Sequence, residues 1–180
     1  MPDRVKWLAL GYNIPINPSK NRVYIWRKLK EYGAEYFKQG VALLPYNKAN
    51  LNRFSILAAK IRDMGGDASL VEMSFLDKQD ELDIIEKFQQ QSTLELDELK
   101  ADCFSLLQQL KHHAGQKFSE YETEQLKKVV KRYSKAKSRD HFSTGVSEEV
   151  DTGMNSIMEI VRASAEDFAA QLAKHLNKTF

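Results

Sequence analysis

Hydrophobic positions in the first 75 residues switch between short strand-like runs and helical spacings. The apolar run at 5–12, ahead of Pro15, is typical of a mostly buried strand. Between residues 68 and 75 apolar and polar positions alternate, as in a strand with one covered face. In chain order the pattern predicts a strand at 5–12, a helix from 18 to 32, strands at 34–37 and 41–46, a helix at 48–64 and a strand at 68–75.

The predicted β-α-β-β-α-β order is typical of a ferredoxin-like unit with an antiparallel sheet. In its first helix, Val23, Trp26 and Leu29 recur at spacings of three, which predicts one buried face. We expect Asn17 to cap that helix and Gly33 to end it. Both helices should cover one sheet face, leaving the other for solvent, a partner chain or the downstream helices.

The remainder of the chain carries few residues that break helices. No Pro follows Pro45, and no Gly or Pro lies between Asp67 and Ala114. We therefore predict an α+β protein with a ferredoxin-like domain at 1–76 and a helical extension at 77–180, with helices at 77–114, 118–137 and 147–176. The long helix has a heptad-like seam, interrupted at 89–93 by a kink or a break. That seam consists of Leu82, Ile85, Leu96, Leu99, Cys103, Leu106 and Leu110.

Composition limits the class of protein. The 180 residues are 42% hydrophobic and 29% charged, which is enough for a core, and a single Cys excludes an internal disulfide framework. No apolar run approaches the roughly 20 residues that span a bilayer, and no signal peptide is evident. We expect a soluble cytoplasmic protein without a membrane partner and without a cofactor.

Charge is unevenly distributed behind a net value of +2. Residues 1–40 hold eight positive and three negative side chains, and residues 121–140 hold seven and three. Residues 77–120 hold five positive and ten negative side chains. Two basic stretches and one acidic helix are therefore predicted. We expect a homodimer, which could align its basic faces into one nucleic-acid-binding patch.

Both basic stretches have a functional and a structural interpretation. The first could contact phosphates or form an ordinary solvated helix face. The second could follow a nucleic-acid backbone, bind an oxyanion, or pair with the acidic helix. The candidate binding residues are Arg22, Arg27, Lys28, Lys128, Lys131, Arg132, Arg139 and His141.

Enzymatic chemistry finds little support in the residues. Asn13 lies where a ferredoxin-like nuclease would place a metal-binding carboxylate, and an amide binds Mg²⁺ more weakly. The four His residues show no metal-ligand spacing, and no phosphate loop or hydrolase motif is present. We expect no catalytic residues and no metal.

An ordered set of short segments resembles one known family. These segments are Trp7-Leu8-Ala9-Leu10-Gly11-Tyr12-Asn13-Ile14-Pro15, Pro18-Ser19, Arg22 to Leu29, Gly33-Ala34, Gly40-Val41, Leu44-Pro45, Gly65 to Ala68 and Arg139-Asp140-His141-Phe142. Over residues 5–145 they resemble the N-terminal region of ChrB, the chromate-resistance regulatory proteins. More distantly they resemble the PaaX repressors and the small CRISPR-associated nucleases.

The resemblance implies a regulator-like role in chromate resistance, acting by nucleic-acid binding, with chromate as a further ligand. Longer members carry another C-terminal domain, which leaves open where chromate would be sensed. Two alternatives remain: a metal-dependent nuclease, and a protein-interaction module that uses the long 77–114 helix.

Overall fold

A computed structural model describes residues 4–112 and 116–176. The chain divides into two compact units, unit 1 (Met1–Phe88) and unit 2 (Gln89–Phe180). The division between the two units falls after residue 88, later in the chain than the domain boundary predicted at 76/77. That boundary stays a prediction, and expressing the two parts separately to see whether each folds would test it. The elements are β1 (Trp7–Asn13), α1 (Ser19–Tyr32), β2 (Glu35–Lys38), β3 (Val41–Pro45), α2 (Lys48–Asp63), β4 (Asp67–Met73), α3 (Lys78–Leu110), α4 (Glu120–Lys137), α5 (Gly145–Ser164) and α6 (Glu166–Leu176).

The α+β class is confirmed. Unit 1 contains a four-stranded antiparallel sheet in the order β2-β3-β1-β4, with β1 paired on both sides. Consecutive strand residues point to opposite faces of a sheet. Trp7 and Leu8 are both buried, so both faces are covered at the start of β1. Phe88 of α3 covers the Trp7 side, with the ring centroids 5.7 Å apart, so a downstream helix supplies part of the missing cover.

The first helix is rotated relative to the prediction. Ile25 and Leu29 are buried, whereas Val23 and Trp26 are exposed by 44% and 51%. Successive helix residues differ by about 100° in direction, so burial of Ile25 turns Trp26 outward. The buried-face prediction is therefore wrong for Val23 and Trp26 and correct for Leu29.

The ends of α1 are also partly different from the prediction. Asn17 does not cap the helix: Pro18 occupies the N-cap position with extended backbone, and α1 begins at Ser19. Gly33 ends the helix as predicted, in the left-handed conformation with φ of 65°. Its backbone N–H donates to the carbonyl oxygen of Lys30.

Helix α3 is continuous where a kink or break was predicted. Ser92 is buried, and its hydroxyl donates to the Gln89 carbonyl oxygen at 3.2 Å, so this polar residue is accommodated inside the helix. The early seam is wrong, because Ile84 is buried in place of Ile85 and Leu82 is 47% exposed. The later seam is correct, with five buried side chains. These are Leu96, Leu99, Cys103, Leu106 and Leu110.

The later seam lies in the core of unit 2, together with residues of α4, α5 and α6. It therefore does not form the open docking surface on which the protein-interaction alternative was based. The predicted end of this helix at Ala114 and Gly115 lies outside the described residues, and α3 ends at Leu110. The predicted third helix is two helices, α5 and α6, because Ala165 leaves helical geometry with φ of −157° and ψ of 85°.

Unit 2 also contains a buried polar cluster between α4 and α5. The Lys137 ammonium donates to Ser147 and to Asp151 at 3.0 Å, and lies 3.7 Å from Asp140. The Ser147 hydroxyl donates to Asp140 at 2.6 Å, and Tyr133 donates to Asp151 at 2.8 Å. The Asp140 side chain is 1% exposed, so Lys137 supplies the main compensating charge.

Candidate nucleic-acid interface

The arginines of the second basic stretch are paired with the acidic part of α3. Arg132 donates to both Glu98 and Asp102, and Arg139 donates to Glu95. Each guanidinium is thus engaged by carboxylates of the same unit. For these two predicted binding residues, the geometry supports the structural interpretation, which is pairing with the acidic helix.

The other predicted residues of this stretch differ among themselves. Lys128 and Lys131 are exposed and form no ion pair with any described residue. Lys128 lines a depression of about 410 Å³ together with Asp102, so the charge there is mixed. His141 is partly buried and interacts within the protein. Of the five binding residues predicted in this stretch, two lysines, Lys128 and Lys131, are therefore available to contact an anion.

The first basic stretch is more open. Arg22 and Arg27 are exposed on α1, and neither forms an ion pair with a described residue. Lys28 is paired with Glu31 at 2.8 Å, and that hydrogen bond raises the pKa of Lys28. Two guanidinium groups of α1 are therefore free to meet an anion, and Lys28 is partly neutralised.

Trp26 and Arg22 lie one helical turn apart and line the same groove of unit 1. The groove measures about 810 Å³ and is bounded by α1, the end of β1 and the β2–β3 turn. Arg22 is the only charged side chain among the described residues that line it. Its lining comprises Tyr12, Asn13, Ile14, Ser19, Arg22, Val23, Trp26, Tyr36, Gln39 and Gly40.

Two tyrosines form the opposite part of the groove. The Tyr12 and Tyr36 hydroxyls share a hydrogen bond of 2.8 Å. Burial raises the pKa of Tyr12 well above its usual range, the bond to Tyr36 raises it further, and the Arg22 guanidinium opposes the shift. Tyr12 is therefore neutral at physiological pH, and the positive charge of Arg22 is not cancelled by a phenolate.

Gly40 fixes the tyrosine side of the groove. Its φ of 73° belongs to the left-handed region, and a Cβ there would lie 2.9 Å from the Tyr12 carbonyl oxygen. The Tyr12 N–H donates to the Gly40 carbonyl oxygen at 2.8 Å. A glycine is needed here to bring the β2–β3 turn close to β1.

A family model described as Protein ChrB, N-terminal, matches residues 22–179. The chain belongs to this family. The match confirms the resemblance derived from the sequence segments, and it associates the protein with chromate resistance. No curated protein and no solved structure gave a significant match.

The ChrB match covers all eight candidate binding residues but not β1. It begins at Arg22, so Trp26 and Tyr36 lie inside the matched range, and Tyr12 and Asn13 lie before it. The groove of this ChrB-family protein is therefore built partly from matched and partly from unmatched sequence. No helix within residues 4–112 or 116–176 combines the length and apolar character that crossing a bilayer requires.

Asn13 does not lie in a group of acidic or other metal-binding side chains within the described residues. Asn13 is exposed at the end of β1, opposite Asp67 of β4 in the sheet register. In the part of the chain that the structure describes, no three His, Cys, Asp or Glu side chains are grouped to hold a metal ion.

Sequence reasoning identified Arg22 but missed the aromatic residues around it. Trp26 was assigned to the core because its spacing from Val23 and Leu29 imitates a buried stripe. Tyr12 and Tyr36 are far apart in the sequence and meet only through the sheet. The spacing of four between Arg22 and Trp26 was the one available indication, since such pairs share a helix face.

Proposed function

We propose that this ChrB-family protein is a regulator in chromate resistance that binds nucleic acid through the exposed face of α1. The observation that carries the proposal is the pair of unneutralised guanidinium groups, Arg22 and Arg27, on the same helix as the half-exposed indole of Trp26. Guanidinium groups contact phosphates, and exposed aromatic rings support bases. The chemistry suits binding, and we propose no catalytic activity.

The contrast between the two basic stretches supports the choice of α1. Arg132 and Arg139 are engaged by carboxylates, so a phosphate would have to displace an existing ion pair. Arg22 and Arg27 have no such competitor among the described residues. The free energy gained from each phosphate contact should therefore be larger at α1.

The experiment compares two double variants that remove the same charge. Arg22→Gln with Arg27→Gln changes α1, and Lys128→Gln with Lys131→Gln changes α4. Binding of labelled duplex DNA from upstream of the protein's own gene is measured by anisotropy and mobility shift at two salt concentrations. Loss of two phosphate contacts should lower the slope of log affinity against log salt by about 2 in the α1 variant only.

Several results would contradict the proposal. Equal losses in both variants would mean that net charge, not the α1 face, governs binding. No binding by the wild-type protein even at low salt would end the nucleic-acid hypothesis. Cleavage of RNA or DNA in the presence of Mg²⁺ would replace a binding role with the nuclease alternative.

The finer architecture is part of the same proposal. We infer that unit 1 is a ferredoxin-like domain, supported by its β-α-β-β-α-β element order and the sheet order β2-β3-β1-β4. An experimental structure of the full chain with another strand order would contradict this.

The homodimer, the cytoplasmic location and direct chromate binding stay predictions. Sedimentation of the wild-type protein tests the dimer, and a mass of one chain would contradict it. Calorimetry with chromate tests oxyanion binding, for which the groove offers one guanidinium, Arg22.

A further inference from the structure

We propose that the groove between α1 and the end of β1 binds a nucleoside phosphate, with the base against Trp26 and the phosphate on Arg22. The inference deepens the proposed nucleic-acid binding and rests on it for its biological context. The ligand is either a free nucleotide or one unpaired nucleotide of a strand, since both present the same chemistry to the groove.

The charge of the groove selects an anion. Arg22 is exposed and forms no ion pair with a described residue, and no Asp or Glu is found among the described residues that line the groove. The Tyr12 hydroxyl hydrogen-bonds to the Tyr36 hydroxyl, and Tyr12 adds no negative charge at neutral pH because burial raises its pKa. A ligand with a phosphate therefore meets an uncompensated guanidinium.

The volume of the groove and its aromatic side chains favour a ligand larger than a single oxyanion. The groove of about 810 Å³ lies in the range of small-molecule sites, and a tetrahedral oxyanion would leave most of it empty. The Trp26 indole is 51% exposed, which leaves ring surface for a base. Stacking on an aromatic side chain accepts any base, so this contact selects the class of ligand and not its sequence.

Polar side chains at the groove can read the edge of a base. Asn13 and Gln39 are both exposed and both line the groove. Each carboxamide offers an acceptor and two donors, the combination that pairs with base edges. Trp26, Arg22 and these amides together provide contacts for the face of a base, for a phosphate and for the edge of a base.

The two tryptophans make the test direct. Trp7 is fully buried in the sheet core, and Trp26 is half-exposed in the groove. Quenching of tryptophan fluorescence by a bound base should therefore come from Trp26. The probes are adenosine monophosphate, a single-stranded oligoadenylate and inorganic phosphate, each titrated against the full chain.

We expect saturable quenching by the nucleotide, by the oligoadenylate, or by both, and none by phosphate at the same concentrations. The arm that binds more tightly identifies the source of the ligand. Trp26→Leu should weaken binding of that probe, labelled and followed by anisotropy, by about 5- to 150-fold, the range for loss of one stacked base. Phe104→Leu is the matched control, because Phe104 is an exposed aromatic residue of unit 2 that lies outside the groove.

Arg22→Gln and Arg27→Gln separate this inference from the proposed function. Both residues belong to the α1 face, but only Arg22 lines the groove. Arg22→Gln should weaken nucleotide binding at least tenfold, and Arg27→Gln should leave it unchanged while weakening duplex binding. Circular dichroism confirms that each variant is folded.

Three outcomes overturn the inference: no saturable quenching by either nucleotide probe, equal affinities of the wild type and Trp26→Leu, or equal occupancy by phosphate and nucleotide. If these occur while Arg27→Gln still weakens duplex binding, the proposed function survives and the groove inference fails. If the nucleotide binds through Arg22 and Trp26 but no nucleic acid binds, the groove inference stands and the proposed function fails.

Discussion

Replacing Lys137 with Met should strongly destabilise unit 2. The Lys137 side chain is 14% exposed and supplies the positive charge beside Asp140, which is 1% exposed, and Asp151, which is 37% exposed. Met preserves the length and packing of the side chain and removes the charge. The variant therefore leaves a carboxylate buried without its counter-charge.

The loss of stability depends on the hydrogen bonds and solvent contact that each carboxylate retains in the variant. Removing one partner of a buried ion pair costs about 3 to 5 kcal/mol. Asp151 retains solvent access and the Tyr133 hydroxyl, and Asp140 retains the Ser147 hydroxyl. We therefore expect the lower end, a fall of about 3 kcal/mol in the free energy of unfolding.

Urea unfolding followed by far-ultraviolet circular dichroism measures this loss. With a slope of about 1 to 3 kcal/mol per molar urea, the midpoint of unit 2 should fall by about 1 to 3 M. Both tryptophans belong to unit 1, so tryptophan fluorescence reports the other unit in the same samples.

Two further variants decide the interpretation. Lys135 is an exposed residue of the same helix and forms no ion pair with a described residue. Lys135→Met should therefore change the urea midpoint little. Adding Asp140→Asn to Lys137→Met should recover part of the loss, because the unpaired charge is gone. Equal midpoints for Lys137→Met and Lys135→Met would refute the reasoning.

Three other predictions concern backbone, charge and pH. Gly40→Ala should lower the free energy of unfolding by about 1 to 3 kcal/mol, and by more than Gly65→Ala does. Both positions have positive φ, but only at Gly40 would the added Cβ lie 2.9 Å from a carbonyl oxygen. Thermal melts compare the two variants, and equal shifts would contradict the steric argument. Arg132→Met should cost less than about 1 kcal/mol, because its ion pairs are partly exposed and screened; a larger shift of the urea midpoint would count against this. Burial raises the pKa of Cys103 from 9.0 to about 11, so the folded state disfavours the thiolate and stability is lost as the pH rises above about 9. Between pH 8 and 10 the free energy of unfolding of the wild type should fall by about 1 kcal/mol relative to that of Cys103→Ala. Parallel pH profiles of the two proteins would show that the thiol is not responsible.

Different residues show why parts of the site were predictable and others were not. Arg22 and Arg27 were found because a cluster of charges is visible in one dimension. Arg132 and Arg139 were named for the same reason, but their pairing with α3 depends on contacts 30 or more positions away in the chain. Counting charges by segment indicated that this pairing could occur but could not choose between pairing and exposure.

The sequence alone determined the order of strands and helices from β1 to β4, because Gly, Pro and the hydrophobic spacing act over a few residues. It also determined the family, since the matching segments are themselves sequence. Tertiary structure decided which side of α1 is buried, that Trp26 faces a groove, and which cations are neutralised. These depend on how helices pack and on long-range charge pairing, and one spacing of apolar residues is compatible with more than one rotation of a helix.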